Sequence, residues 1–148
     1  MSHLEAMATV RWKGYGGSVE GASGALHAET ATQAELGGPG SGTNPEELMA
    51  AAHANCFTST LTSLARARGV DLDSVETQAT TRLVWGEGRD HHLASSRLSL
   101  RIRSRSPEAD VRRIVREAEE ECPVCQAIRG NVAMTVDLEI GPPAGVVP

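Results

Sequence analysis

Hydrophobic and polar positions alternate in several stretches of this chain and recur at helical spacing in two others. Residues 97–103 alternate most sharply: Leu98, Leu100 and Ile102 fall on one side, and Arg97, Ser99, Arg101 and Arg103 on the other. That is a strand with one wet face. The run "NVAMTVDLEI" behaves alike, with Val132, Met134, Val136, Leu138 and Ile140 inward. Residues 75–85 read as a strand joined to 97–103 around the polar turn "GEGRDHH". Residues 8–13 and 19–29 read as two short strands on either side of "GYGG", a turn signal. Residues 30–42 are small and Gly-rich and end in "GGPGSG", a loop. It lacks the Gly-Lys-Ser/Thr ending of a phosphate loop and is not read as one.

The first helical stretch is "TNPEELMAAAHANCFTSTLTSLARARG". Asn44 can cap it, Pro45 suits its first position, and Glu46 and Glu47 favour its positive end. Asn44 and Glu47 have capping-box spacing. Gly69 ends the element, with Arg66 and Arg68 in the last turn. Its middle is alanine-rich and nearly uncharged, the mark of a central helix covered on most faces. The second helix, "SPEADVRRIVREAEEEC", takes Ser106 as cap and Pro107 at its first position. Its stripe is Val111, Ile114, Val115 and Ala118, and four residues further on Cys122 continues the buried face.

The order is β-β-α-β-β-α-β over a single domain, 1–148, with no repeats and no linker. Hairpin neighbours favour antiparallel pairing, so the expected class is α+β. One small sheet cannot cover an apolar helix on every side, whereas a second subunit can. The low aromatic content, 3%, agrees with a core short of bulk and therefore with a homodimer. Charged residues at 22% and hydrophobic ones at 40% exclude a disordered chain. A formal net charge of −5 argues against a nucleic-acid footprint. No apolar run approaches the ~18 residues of a membrane span. No signal peptide is visible, so a cytoplasmic location is expected.

In that compartment three cysteines point to redox or metal chemistry rather than structural disulfides. Cys122 and Cys125 bracket a proline and a valine in "EEECPVCQA", and Cys56 lies far upstream in "AAHANCFTST". A structural zinc site needs four ligands, and the pair supplies two. Adjacent His91 and His92 are poor tetrahedral partners, so no metal or cofactor is expected. A thioredoxin-like pair should follow a strand and open a long helix, but this one follows a helix and Gly130 stops the next within two turns. Cys56 has His53 three residues back on nearly the same face, and a neighbouring imidazolium there favours thiolate. The plain alternative is an inert buried cysteine beside a core histidine. Glu46 precedes Cys56 by ten residues, ~15 Å along a straight helix. A site shared by these two requires bending or a second subunit. Otherwise Glu46 serves only the helix dipole.

"SGTNPEELMAAAHANCF" and "CPVCQAIRGN" resemble the two signature segments of the OsmC/Ohr family, the osmotically induced and organic hydroperoxide resistance proteins. The resemblance spans essentially the whole domain. It implies an intertwined homodimer with central helices packed between two antiparallel-rich sheets. It also implies thiol-dependent reduction of organic hydroperoxides to alcohols, with no cofactor. Cys56 becomes the peroxidatic cysteine, Cys122 the resolving one, and Glu46 the carboxylate that positions a catalytic arginine. A thiolate attacks the O–O bond, becomes a sulfenic acid and condenses with a second thiol. The implied reductant is a lipoyl-type or small dithiol.

Two departures qualify the resemblance. The family's arginine lies in the N-terminal hairpin or just before the Gly-Thr-Asn-Pro-Glu segment, whereas here no Arg occurs between Arg11 and Arg66. Losing such a contact typically costs ~2–4 kcal/mol at a transition state. Arg11, Lys13 and Arg129 are the candidate substitutes. Cys125 stands where many relatives have serine. It can bridge to Cys122, compete as resolving thiol or fill space, and space-filling is favoured. The rival readings are a thiol–disulfide oxidoreductase using Cys122 and Cys125, and a catalytically silent dimer that binds an apolar ligand.

Overall fold

The computed structural model describes residues 1–87 and 91–146 and divides into two compact units, Met1–Leu48 and Met49–Pro148. The first carries strands β1 (Ala8–Lys13), β2 (Gly16–Gly21) and β3 (His27–Ala31), then a 3-10 turn, Ala34–Leu36. These three strands form one antiparallel sheet in the order β1-β2-β3. The expected strand 19–29 is thus two strands. The chain turns between them, with Gly24 in the left-handed region and its N–H on the Gly21 carbonyl. That turn returns β3 along β2.

One face of this sheet is apolar. Val10 pairs with Val19, and Val19 with Ala28, so these side chains share a face with Trp12. Val19 is buried, yet Val10, Trp12, Tyr15 and Leu26 are exposed. The segment leading into the first helix is tied to β3: Thr43 N–H donates to the Glu29 carbonyl, and Ala31 N–H donates to the Thr43 carbonyl. Asn44 then caps as expected, its Oδ1 accepting from Glu47 N–H at 2.8 Å.

Helix α1 (Pro45–Arg68) begins in the first unit and runs on in the second. It ends at Gly69, whose φ of 68° lets Val70 N–H reach back to the Ala65 carbonyl at 2.9 Å. This 6→1 closure needs a left-handed residue, which glycine supplies without a Cβ penalty. Strands β4 (Ser74–Trp85), β5 (His91–Arg103) and β6 (Ala133–Gly141) make the second sheet, ordered β4-β5-β6. The expected turn between β4 and β5 falls partly on residues 88–90, outside the described residues. The β4–β5 pair is antiparallel and β5–β6 is parallel. Two helices, α2 (Glu108–Glu121) and α3 (Pro123–Ile128), cross over between β5 and β6, and such a crossover is what a parallel neighbour requires.

The alternation in β5 is borne out. Leu98, Leu100 and Ile102 are buried, while Arg101 lies between Glu76 at 3.3 Å and Glu139 at 3.6 Å on the wet face. Ser106 does not cap α2. Its Oγ accepts from Asp71 N–H at 2.8 Å, and Pro107 precedes the helix with no side-chain cap. The stripe Val111, Ile114, Val115 and Ala118 meets Phe57 and Leu61 of α1 and the inward face of β5 in one apolar core. On α1 only one face is buried in the chain itself: His53, Phe57, Leu61, Leu64 and Ala65. Ala52, Asn55, Ser59 and Ser63 are exposed on another.

Candidate active site

The second unit gathers all three cysteines. Pro123 shapes the arrangement. It offers no N–H to continue α2 and biases the preceding residue toward extended backbone. Cys122 accordingly has φ −63° and ψ 118°. Its N–H still closes α2 on the Ala118 carbonyl, and its sulfur accepts from Cys125 N–H at 3.5 Å as the cap of α3. One residue therefore ends one helix and begins the next. Both sulfurs lie in the core, Cys122 at 0% and Cys125 at 1% exposure.

Cys56 projects from α1 into the same core, packed against it yet half-exposed. Its thiol interacts with the Cys122 side chain and with Val124 N–H. Burial pushes the Cys56 thiol above its ordinary value of 9.0. Val124 N–H and the Thr60 hydroxyl oppose that shift, and Cys122 adds to it. Among the described residues, no cation contributes to its pKa. Cys125 is raised further, to about 12, by burial first, then by Cys122, with Glu119 and Cys56 adding repulsion. Cys122 thus acts on both of the other thiols. All three are free.

His53 corrects the expectation of an imidazolium serving Cys56. Its ring is buried, with Nδ1 2.7 Å from Ser96 Oγ and Nε2 3.2 Å from Cys125 Sγ. Burial lowers its pKa below 6.5, so at neutral pH the ring is uncharged. It serves the third cysteine, not the first.

In the first unit, Glu46 accepts a hydrogen bond from the Gln33 amide. Glu46 and Cys56 lie on one continuous helix. Of the substitutes for the arginine, Arg11 pairs with Glu20 at 2.8 Å, and Arg129 donates to the Glu119 carbonyl at 2.8 Å. Lys13 is exposed on β1. Among the described residues no group of three or more His, Cys, Asp or Glu side chains is placed to hold a metal ion.

Residues 38–137 match the family described as OsmC-like protein. The chain belongs to the OsmC-like family. This OsmC-like chain is 31% identical over 101 residues to peroxiredoxin OsmC of Escherichia coli (strain K12), covering 66% of this chain and 68% of that one. It is 32% identical over 98 residues to organic hydroperoxide resistance protein OhrB of Bacillus subtilis (strain 168), covering 66% and 71%. Among solved structures, the organic hydroperoxide resistance protein OsmC from Legionella pneumophila superposes with a TM-score of 0.82 at 30% identity, covering 94% of this chain and 99% of that one. The α+β fold of two three-stranded sheets and three helices is that of the OsmC/Ohr structures.

Four features escaped the sequence reading: the contacts of His53 with Cys125 and Ser96 with His53 and the action of Val124 N–H on Cys56 in the second unit, and the contact of Gln33 with Glu46 in the first. Only Ser96 left a signal. It continues the inward positions 98, 100 and 102 of β5 back by one step, a polar residue in an apolar row. The others depend on where α3 and the 3-10 turn come to lie.

Proposed function

We propose that this chain, as one domain over 1–148, is a thiol peroxidase that reduces organic hydroperoxides to alcohols. Membership of a family with a named peroxiredoxin and hydroperoxide resistance proteins supports the reaction class. The observation that carries the assignment of residues is the difference in access among three adjoining sulfurs. Cys56 alone is half-exposed, so the oxidant meets Cys56 first. Its thiolate attacks one peroxide oxygen, the O–O bond breaks, and the alkoxide leaves and takes a proton. The sulfenic acid at Cys56 then condenses with Cys122, releasing water. An external dithiol, lipoyl-type or small, reduces the disulfide through the accessible sulfur.

Apolar neighbours on α1 and β5 favour alkyl hydroperoxides over hydrogen peroxide. The working form is a homodimer, supported by the exposed apolar face of β1–β3 and by the exposed, uncharged stripe Ala52, Asn55 and Ser59 of α1. Glu46 contributes from its place beside Gln33 in the second subunit. The Gln33 amide donates to Glu46 and helps to orient it. A weakened peroxidase is expected because no Arg occurs between Arg11 and Arg66. No helix among the described residues is long and apolar enough to cross a membrane. The place of action in this proposal is the cytoplasm, where thiols are kept reduced and ready for the next turnover.

The deciding experiment is consumption of cumene hydroperoxide with dihydrolipoate by wild type and Cys56→Ser. Turnover in the wild type and background consumption in the variant are expected. Equal rates in the two would end the proposal. The wild-type rate should climb about tenfold per pH unit through neutrality, since the Cys56 thiol titrates above its ordinary value. A plateau by pH 7 would show that an unidentified cation lowers it.

A further inference from the structure

The peroxidase reaction above leaves Cys125, His53 and Ser96 unused, although together they form a buried polar chain in an otherwise apolar core. Resting on that reading, we propose that Cys125 is a third redox position. In this proposal it attacks Cys122 in the oxidised protein and converts the Cys56–Cys122 disulfide into Cys122–Cys125, with His53 accepting its proton.

The geometry supplies each part. Cys125 lies three residues after Cys122 on α3, its N–H on the Cys122 sulfur at 3.5 Å. Both other thiols interact with Cys122, and its sulfur accepts from Cys125 N–H, so a Cys122 bonded to Cys56 keeps Cys125 as a neighbour. His53 Nε2 stands 3.2 Å from Cys125 Sγ. In the tautomer this step uses, Nδ1–H donates to Ser96 Oγ at 2.7 Å and Nε2 keeps its lone pair toward the thiol. This is the arrangement of an activated nucleophile: thiol, base, and a third group that orients the base. A space-filling cysteine has no need of an oriented imidazole.

The step balances without an outside reagent. The Cys125 S–H proton passes to His53 Nε2, and the sulfur's electron pair forms a bond to Cys122 Sγ. The Cys56–Cys122 bond breaks, and its pair leaves on Cys56, which takes up the proton. Cys125–SH plus Cys56–S–S–Cys122 becomes Cys122–S–S–Cys125 plus Cys56–SH. The oxidation is thereby stored in the core, and the accessible sulfur is free for another hydroperoxide.

The test oxidises the full chain with one equivalent of cumene hydroperoxide or, separately, diamide. Samples are then acid-quenched at intervals and their disulfides mapped by mass spectrometry. The Cys56–Cys122 peptide should appear first and the Cys122–Cys125 peptide should grow at its expense. In His53→Gln, which keeps most of the volume, the second phase should slow by about a hundredfold relative to the first, within the range of a positioned base. If that variant does not fold, Ser96→Ala removes the ring's anchor and should also slow the second phase.

Three results would overturn the proposal: no second phase in wild type, a second phase indifferent to the folded variant, or Cys122–Cys125 forming equally fast in Cys56→Ser. Should diamide produce both phases while hydroperoxide produces neither, the exchange stands and the peroxidase reading falls. Should hydroperoxide stop at Cys56–Cys122, the reverse holds.

Discussion

The two compact units solve the same problem to different extents. The second closes a core of its own: Phe57, Leu61, Ile102, Val111 and Ile114 are all at 0% exposure, and three helices and a sheet contribute. The first has a sheet and a short turn, and it leaves Val10 at 57% and Trp12 at 49% exposed on its apolar face. A three-stranded sheet with an open apolar face carries little independent stability, whereas helices on a sheet bury enough surface to stand alone. Chemistry follows the same division. The thiols need a dry, rigid setting and sit in the closed unit, while the carboxylate Glu46 belongs to the open one.

Substitutions should separate the units sharply. Ile114→Ala, at the centre of the closed core, should lower unfolding stability by about 2–5 kcal/mol in chemical denaturation. A cost below about 1 kcal/mol would mean that this core is no better packed than the first unit.

Protons should act on the closed unit. His53 is held neutral below its ordinary 6.5, so the unfolded chain binds a proton there that the folded chain refuses. Stability should therefore fall as pH drops below about 6.5, and His53→Gln should flatten that slope in a thermal melt series. The buried thiols act with the opposite sign. The folded chain keeps protons on Cys56 and Cys125 that the unfolded chain releases above about pH 9, so stability should fall again as pH rises toward 12. A melting temperature flat across both limbs would contradict this account of burial.

Asn44→Ala, removing the cap at the start of α1, should cost about 1 kcal/mol. The smallest effect belongs to the open sheet. Val10→Ala should change unfolding of the dissociated chain by no more than about 0.5 kcal/mol. In the same variant, sedimentation at matched concentration should shift toward monomer. A large stability loss without that shift would mean that the apolar face is covered within the chain.

Much of this was legible from residue patterns. Leu98, Leu100 and Ile102 announced the central strand, because side chains alternate with period two. Val111 through Cys122 announced a buried helical face, because positions three and four apart stack. Asn44 and Gly69 marked the ends of α1 through capping chemistry that is local to each end. The split of 19–29 into two strands was missed although it was legible in "EGASGAL", whose Ser23-Gly24 pair is a turn dipeptide. Ser106 was misassigned as a cap because an equally good donor, Asp71 N–H, comes from 35 residues away. His53 was assigned to the wrong cysteine for a related reason: helix spacing sets which face a ring occupies, not which of several packed elements it meets.

The sequence by itself determined the elements, their apolar faces and the proline that ends α2 at Cys122, because each of these follows from interactions within a few residues. Tertiary structure alone decided that Cys122 acts on both Cys56 and Cys125, and that His53 lies between Cys125 and Ser96. The histidine's two contacts alone join residues 43 and 72 positions apart. Their geometry is set by how α1, α3 and β5 share one core, and no local pattern encodes that.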